Sequence, residues 1–150
     1  MTHIYLMRHG QAGPVANPGF PDSSRSLTPV GFNHIKTQAA RLLDRAPDLA
    51  RIYFSPYVRT KQTAALVNNV FNAEFKQVND LVPGGNAELV LDMLSGVEEE
   101  ILLVTHIPTV SDIASLLLSK NIPFHQGTCI KIERVDAFAR VGTLAWSMDP

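Results

Sequence analysis

The chain has little cysteine, no long apolar run and no excess of charge of one sign. Its single cysteine, Cys129, cannot close an internal disulfide. The longest apolar runs, such as 101–104, are far shorter than the roughly 18 residues that indicate a membrane span. Thirteen Lys and Arg residues against 14 Asp and Glu residues give a formal charge of -1. This nearly balanced charge therefore provides no general attraction to nucleic-acid phosphates or to a membrane surface.

The N-terminus also lacks a basic segment that leads into an apolar stretch, which is the pattern of a secretory signal. We therefore expect a cytoplasmic protein. The chain has 150 residues, of which 45% are hydrophobic and 18% are charged, as is typical of a compact globular protein. A chain of this length can bury a core without a metal or a disulfide, and we predict one domain over residues 1–150.

The apolar pattern alternates between strand and helix periods, which predicts an α/β domain. Wholly apolar runs ending at Met7, Phe54 and Val104 are typical of strands that are covered on both faces. A weaker strand is predicted at 75–78. Near the C-terminus, 130–132 and 144–146 alternate between apolar and other residues, which favours an antiparallel pair. The predicted fold is a three-layer sandwich with a mostly parallel central sheet between helices and with antiparallel terminal strands.

Four helices are predicted between these strands. Thr28-Pro29 and Ser55-Pro56 each combine a capping residue with a proline suited to the first turn, and the second of these helices is expected to run to about Asn68. Asn86 could cap a third helix that ends before Gly96, and a fourth follows Pro108. The apolar positions at helical spacing in the first helix are Ile35, Ala39, Leu42, Leu43 and Ala46.

Basic side chains cluster where predicted strands give way to helices. Arg8 and His9 follow the first strand, Arg59 lies just inside the helix after the second, and His106 follows the strongest strand. Ligands of open α/β sheets bind beyond the carboxyl ends of the strands, so these side chains converge if the strands are neighbours. Two imidazoles and two guanidiniums beside helix N-termini would suit a phosphate group.

Arginine and histidine would do different work in such a site. The planar guanidinium makes paired, charge-assisted hydrogen bonds to phosphoryl oxygens and stays charged near neutrality. A neutral imidazole carries a free lone pair that can attack phosphorus and can leave again in a later step. We expect the pKa of His9 to be lowered by Arg8 and Arg59, because neighbouring positive charge disfavours imidazolium.

Four segments in this order resemble those of a known family, the histidine phosphatases of the phosphoglycerate-mutase-like superfamily. Within it, the chain looks most like the SixA-type phosphohistidine phosphatases, which are also short and lack the inserted cap of the mutases. The segments are Leu6-Met7-Arg8-His9-Gly10, Leu27-Thr28-Pro29-Val30-Gly31, the stretch from Ser55 to Ala64, and Val104-Thr105-His106. Residues 81–86 and 106–110 are also similar to that branch.

The resemblance implies a role for each of four residues. His9 would be the nucleophile that becomes a phosphohistidine, and Arg8, Arg59 and His106 would hold the phosphoryl oxygens. Many relatives also place an acidic residue in the pocket to protonate an alkoxide leaving group. Here residues 85–88 give no clear match, because Glu88 is expected in the first turn of a helix. Asp22 remains an alternative proton donor.

The segment from Gly13 to Leu27 is an irregular connection with three prolines. Connections of this length are usually functional or disordered. Because it follows His9 directly, it could form one wall of the site and present Arg25 to a phosphate or to a partner; Arg25 is equally compatible with a plain surface position.

Other polar residues are given no role in the site. His3, His34 and His125 have no matching context, Lys61 is expected to be solvated, and Cys129 is expected to be a small core residue. No Cys/His cluster or H-x-x-x-H pair is present, so we expect no metal and no cofactor. Gly84-Gly85 is a turn signal rather than a phosphate loop.

The sequence thus predicts a metal-independent phosphatase that works through a phosphohistidine on His9. The preferred substrate is phosphohistidine on a protein, such as a phosphotransfer domain of a signalling relay, because its leaving imidazole needs little protonation. Two alternatives remain. One is a phosphatase of small phosphate esters, and the other is a non-catalytic module that binds a phosphorylated partner.

Overall fold

The computed structural model describes residues 2–150. The strands in this range are β1 (Thr2–Arg8), β2 (Leu49–Phe54), β3 (Glu74–Gln77), β4 (Glu100–Thr105), β5 (Cys129–Asp136) and β6 (Val141–Met148). The α-helices are α1 (Pro29–Arg45), α2 (Val58–Phe71), α3 (Ala87–Leu94) and α4 (Thr109–Leu118), with short 3-10 turns at Asp22–Ser24 and Asn79–Leu81. No helix within residues 2–150 is long and apolar enough to cross a membrane.

The six strands form one mixed sheet in the order β3-β2-β4-β1-β5-β6. The first four strands pair in parallel, while β5 and β6 join antiparallel at one edge. Ile4 of β1 stands opposite Ile101 of β4, and Ile52 of β2 stands opposite Leu102. The predicted sheet is therefore confirmed, and it places the carboxyl ends of β1, β2 and β4 side by side.

Helices cover both faces of the sheet, because successive side chains of each central strand point to opposite sides. On β1, Ile4 and Leu6 pack with the apolar side chains of α3 and α4. Tyr5 and Met7 pack on the other face with those of α1 and α2. The continuous apolar runs of the sequence are thus explained by burial on both faces, and the three-layer prediction is confirmed.

Two of the three predicted helix caps are present. Thr28 Oγ1 accepts a hydrogen bond from Gly31 N at 2.9 Å, and Asn86 Oδ1 accepts one from Leu89 N at 3.1 Å. The prediction that Ser55 caps α2 is wrong, because that helix begins at Val58 after a bend and its N-cap position is Tyr57. The hydroxyl of Ser55 is used elsewhere, as described below.

Two smaller predictions about the helices also need correction. Leu43 was expected on the core face of α1, but it is 46% exposed, because it lies one residue past the buried Leu42 and therefore points away from the sheet. The second helix ends at Phe71 rather than near Asn68, and it is terminated by Asn72 in the left-handed conformation with φ 54°.

The close approach of α1 to the segment after β1 depends on Gly31. A Cβ at this position would lie 2.2 Å from the carbonyl oxygen of Gln11, a backbone atom that cannot move aside freely. We predict that Gly31→Ala lowers the free energy of unfolding by about 3 kcal/mol, as severe overpacking does. Urea unfolding measures this change.

Gly13→Ala is the matched control for that substitution. A Cβ at Gly13 would meet Thr28 Cγ2 at 3.6 Å, which is an ordinary van der Waals contact. We expect its free energy of unfolding to stay within about 1 kcal/mol of the wild type. Equal losses in the two variants would show that the contact between Gly31 and Gln11 has no special role.

Candidate active site

The four basic residues predicted for the site lie around one cavity at the carboxyl edge of the sheet. Arg8 ends β1 and His9 follows it, Arg59 lies in the first turn of α2, and His106 follows β4. The cavity has a volume of about 230 Å³. Its lining residues are Arg8, His9, Asp22, Arg25, Arg59, Pro83, His106, Ile107 and Gln126.

Backbone hydrogen bonds hold the first of these segments in place. His9 N donates to Thr105 O of β4 at 3.1 Å, and Gly127 N donates to the carbonyl oxygens of both Arg8 and His9. Gly10 N donates to Thr63 Oγ1 on α2 at 3.1 Å. The turn after β1 is therefore tied to the neighbouring strand, to α2 and to the segment that precedes β5, which fixes the position of the His9 ring.

The hydrogen bonds of His9 determine which ring nitrogen carries the proton. Nδ1 lies 2.7 Å from the carbonyl oxygen of Gly10, which can only accept, so Nδ1 donates. Nε2 accepts a hydrogen bond from Arg59 Nε at 3.3 Å. His9 is buried, with an exposure of 5%. The lone pair of His9 is therefore on Nε2, beside the guanidinium of Arg59.

Both imidazoles are neutral at pH 7. Burial, opposed in part by the Gly10 hydrogen bond and assisted by Arg59 and Arg8, lowers the pKa of His9 to about 4. The pKa of His106 is lowered to about 3, mainly by burial and to a smaller extent by the neighbouring His9 and Arg59. The direction expected for His9 from the sequence is correct, but the main cause is loss of solvent rather than the neighbouring arginines.

These lowered pKa values make the folded state sensitive to acid. Between pH 6.5 and about 4, an unfolded histidine binds a proton that the folded protein excludes, so stability present above pH 6.5 is lost as the pH falls. We predict that the free energy of unfolding drops between pH 7 and pH 5 by about 2 kcal/mol for each of the two imidazoles. Urea unfolding at the two pH values measures the drop.

His9→Asn separates this effect from general acid sensitivity. The variant removes one of the two excluded protonation sites, so we expect it to lose about half of the dependence on pH between 7 and 5. An unchanged dependence would mean that His9 is protonated as easily in the folded protein as in the unfolded chain.

The guanidinium of Arg59 is held by the loop that follows the first strand. Its Nη1 donates to Asp22 O at 2.9 Å and its Nη2 donates to Asp22 Oδ2 at 3.0 Å. Arg25 donates from Nη1 to Asp22 Oδ1 at 3.1 Å and from Nε to Gly13 O at 2.7 Å. The 13–27 segment thus forms one wall of the cavity, and it contributes both Arg25 and a carboxylate.

That carboxylate competes with any anion for the arginines. The hydrogen bond from Arg25, together with that from Arg59, holds the pKa of Asp22 below its ordinary value, so the group is ionised at neutral pH. We predict that Asp22→Asn tightens the binding of inorganic phosphate roughly three- to tenfold, because a negative charge is removed from the cavity. Calorimetric titration with phosphate measures the dissociation constant.

Asp92→Asn is the matched control, since it also removes one carboxylate from an ion pair with arginine. Asp92 pairs with Arg140 at 2.6 Å, and neither residue lines the cavity. The affinity of Asp92→Asn for phosphate is expected to equal that of the wild type. Weaker binding in Asp22→Asn would instead assign Asp22 a role in holding Arg59 in position.

His106 contacts His9 and two residues, Ser55 and Tyr57, that were not predicted for the site. Its Nε2 lies 2.8 Å from Ser55 Oγ, and its ring centroid lies 4.9 Å from that of Tyr57 and 5.2 Å from that of His9. Ser55 comes directly after β2, so the strand-end rule that selected the other residues would have found it. The pattern of a serine before a proline pointed to a helix cap instead.

Phe124 and Gln126 were also missed. Phe124 O accepts a hydrogen bond from Arg8 Nη1 at 3.0 Å, and Gln126 lines the cavity. These residues precede β5, which runs antiparallel, so the start of that strand lies at the same edge as the ends of the parallel strands. The predicted antiparallel strand near the C-terminus could have indicated that the residues just before it lie at this edge of the sheet.

The remaining candidates lie away from the cavity. Glu88 is in the first turn of α3, as expected, and it pairs with Arg140 at 2.8 Å. Cys129 is fully buried in β5, where burial raises the pKa of its thiol. The other histidines and Lys61 do not line the cavity. Within residues 2–150, no group of three or more His, Cys, Asp or Glu side chains is placed to hold a metal ion.

A larger groove lies between the start of α3 and the side of α4. It has a volume of about 650 Å³ and is lined by residues that include Gly84, Glu88 and Leu116. It contains no histidine or arginine, so the groups capable of phosphoryl chemistry are in the smaller cavity.

Comparisons with known proteins agree with this arrangement. Residues 4–82 match the model of the histidine phosphatase superfamily (branch 1). The chain is 34% identical over 134 residues to the phosphohistidine phosphatase SixA homolog of Haemophilus influenzae, covering 81% of this chain and 80% of that protein. It is 28% identical over 154 residues to phosphohistidine phosphatase SixA of Escherichia coli K12, covering 98% and 93%.

A solved structure is similar over the whole chain. The structure of the protein histidine phosphatase SixA complexed with tungstate superimposes with a TM-score of 0.88 at 27% identity, covering 99% of this chain and 97% of that one. The similarity therefore includes both the first half of the chain, with His9 and Arg59, and the second half, with His106.

Proposed function

We propose that this chain, which belongs to the histidine phosphatase superfamily, hydrolyses phosphohistidine carried by a protein and uses His9 as its nucleophile. The observation that carries the proposal is the unprotonated Nε2 of His9. It lies in a cavity that is also lined by three arginines and by a second histidine, His106. The phosphohistidine phosphatases that the chain resembles support the choice of substrate.

In the first step, His9 Nε2 attacks the phosphorus atom. A bond forms between Nε2 and phosphorus while the bond between phosphorus and the substrate nitrogen breaks, and its electron pair leaves with the substrate imidazole. The proton on Nδ1 stays in place because Gly10 O accepts it at 2.7 Å. Transfer from one imidazole to another is nearly balanced in energy, so no strong acid is needed to expel the leaving group.

In the second step, water attacks phosphorus and the bond to Nε2 breaks. Because Nδ1 is still protonated, His9 leaves as a neutral imidazole with its lone pair restored on Nε2. The phosphate takes the hydroxyl of the water, and the remaining proton passes to solvent. The enzyme is thereby returned to its starting tautomer without a metal ion.

The remaining basic groups would hold the phosphoryl oxygens. Arg59 and Arg8 supply charge-assisted donors, and Arg25 stands at the edge of the same cavity. The buried atoms Arg8 Nε and His106 Nδ1 have no hydrogen-bond partner among residues 2–150. A tetrahedral anion would satisfy such donors, and tungstate, an anion of this shape, is bound in the SixA structure that the chain resembles.

The acidic residues favour a phosphoramidate over a phosphate ester. Glu88 is engaged with Arg140 on α3, and Asp22 is held in its ionised form by Arg25 and Arg59. Glu88 lies outside the cavity and Asp22 is ionised, so neither residue supplies the proton that an alkoxide leaving group needs. Asp22 nevertheless lines the cavity. Ester hydrolysis is therefore the alternative activity against which the proposed one is tested.

The test compares two substrates with one preparation of the enzyme. We expect kcat/KM for a histidine-phosphorylated phosphotransfer domain to exceed that for p-nitrophenyl phosphate by roughly a hundredfold or more. A chelator is expected to leave both rates unchanged. Preference for the ester would overturn the proposed substrate and leave the nucleophile in place.

A further inference from the structure

Ser55 is buried behind His106 and forms a hydrogen bond with it that the two-step mechanism above does not use. The side chains of both residues are inaccessible to solvent, with exposures of 0% for Ser55 and 1% for His106. Ser55 Oγ lies 2.8 Å from His106 Nε2, and it also accepts a hydrogen bond from Tyr57 N at 3.2 Å. Either the hydroxyl of Ser55 or Nε2–H of His106 can be the donor in their hydrogen bond, depending on the tautomer of the ring.

The proton on the serine hydroxyl has one available acceptor. A hydroxyl carries a single proton, and within the described part of the chain Ser55 Oγ contacts only Tyr57 N, which is a donor, and His106 Nε2. If Ser55 donates, Nε2 accepts and the ring proton must lie on Nδ1. If Nε2–H donated instead, the hydroxyl proton of Ser55 would be buried without an acceptor, whereas Nδ1 has no partner within residues 2–150 in either tautomer and is left for a ligand.

We propose that Ser55 is a positioning residue that fixes His106 as the Nδ1–H tautomer, so that this ring acts as a neutral hydrogen-bond donor to the transferred phosphoryl group. The inference rests on the proposed function for the identity of the acceptor. It gives His106 a task that differs from that of His9, whose Nε2 lone pair accepts a hydrogen bond from Arg59 and must become available for attack.

The position of Ser55 is itself determined by the main chain. Ser55 N donates to Val104 O of β4 at 3.2 Å, and Ser55 O accepts from Thr60 Oγ1 at 2.8 Å. The serine is therefore tied to the strand that leads into His106 and to the helix that carries Arg59. Its hydroxyl holds the ring of His106 relative to both elements that supply donors to the cavity.

Nitrogen NMR of the imidazole rings tests the tautomer in the free protein. Protonated and unprotonated ring nitrogens differ widely in ¹⁵N chemical shift, so the spectrum assigns the proton without any substrate. In the wild type we expect His106 to carry its proton on Nδ1, and in Ser55→Ala we expect the ring to become a mixture of tautomers. A wild-type ring protonated on Nε2, or an unchanged tautomer in Ser55→Ala, would overturn the proposal.

Binding of inorganic phosphate gives a second measurement. Ser55→Ala should raise the dissociation constant by about tenfold, because a donor is lost from part of the population and the ring is less fixed. Ser55→Thr keeps the hydroxyl and should restore both the tautomer and most of the affinity. Ser115→Ala is the matched control, since it removes a hydroxyl that bonds to Lys120 O at the end of α4.

These outcomes separate the two proposals. If the wild type fails to hydrolyse phosphohistidine but shows the Nδ1–H tautomer and its loss in Ser55→Ala, the assignment of Ser55 stands and the proposed substrate falls. If turnover occurs but the tautomer is independent of Ser55, the enzyme keeps its function and the role of Ser55 is refuted.

Discussion

Replacing His9 by alanine is expected to reduce kcat/KM by at least about 10⁴-fold, the scale of loss when a covalent nucleophile is removed. The second imidazole in the cavity does not take its place, because its Nε2 is hydrogen-bonded to Ser55 and its Nδ1 carries the proton in the tautomer proposed above. Turnover of a phosphohistidine protein by purified wild type and His9→Ala measures the loss.

Trapping the intermediate distinguishes an enzyme from a binding module. Acid-labile phosphate should appear on the wild type after rapid quenching and be absent from His9→Ala. His3→Ala serves as the control, because His3 lies near the start of β1, at the end of the strand opposite the cavity. Tight binding of phosphate with no trapped phosphate on the wild type would support a module that recognises a phosphorylated partner without hydrolysing it.

Arg59→Ala is expected to lower kcat/KM by about 10²- to 10³-fold, as the loss of a donor to the transition state does in other enzymes. Arg59 is buried, with an exposure of 5%, and its Nε lies 3.3 Å from Nε2 of His9, the proposed nucleophile. Its removal takes away a charge-assisted contact to the phosphoryl group and also the anchor for Asp22. Steady-state kinetics of the variant measures the effect.

Arg59→Lys tests whether geometry matters in addition to charge. Lysine keeps the positive charge but lacks the planar pair of donors, so we expect an intermediate loss. Arg51→Ala is the matched control: it removes an arginine that pairs with Glu99 and Glu74, away from the cavity. Full activity in Arg59→Ala would remove this residue from the proposed phosphate site.

Much of the site could be predicted because the order of strands and helices in the sequence indicates which residues lie at the carboxyl edge of the sheet. Short apolar runs mark strands that are buried on both faces, and the residues that follow parallel strands meet at one edge. Arg8, His9 and His106 are found by this rule directly. Arg59 is found because it lies in the first turn of the helix that follows β2.

Other features depend on contacts that sequence patterns do not encode. The strand-end rule places Ser55 at the edge of the sheet, but its local pattern is that of a helix cap, and the hydrogen bond between its hydroxyl and His106 is seen only in the folded structure. Asp22 was considered as a proton donor, yet its two arginine partners, one of them 37 residues away, keep it ionised. The size of the pKa shift at His9 likewise depends on burial by the assembled fold.

The strand order has a consequence for how the protein gains activity during folding. His9 and His106 belong to opposite parts of the chain and are brought together by the pairing of β1 with β4, which matches Ile4 with Ile101. Such distant parallel pairing forms slowly, because a long intervening loop must first be closed. Partly folded chains that lack this pairing can contain helices and hairpins but cannot assemble the proposed catalytic centre, so we expect recovery of turnover after refolding to report the completion of the sheet itself.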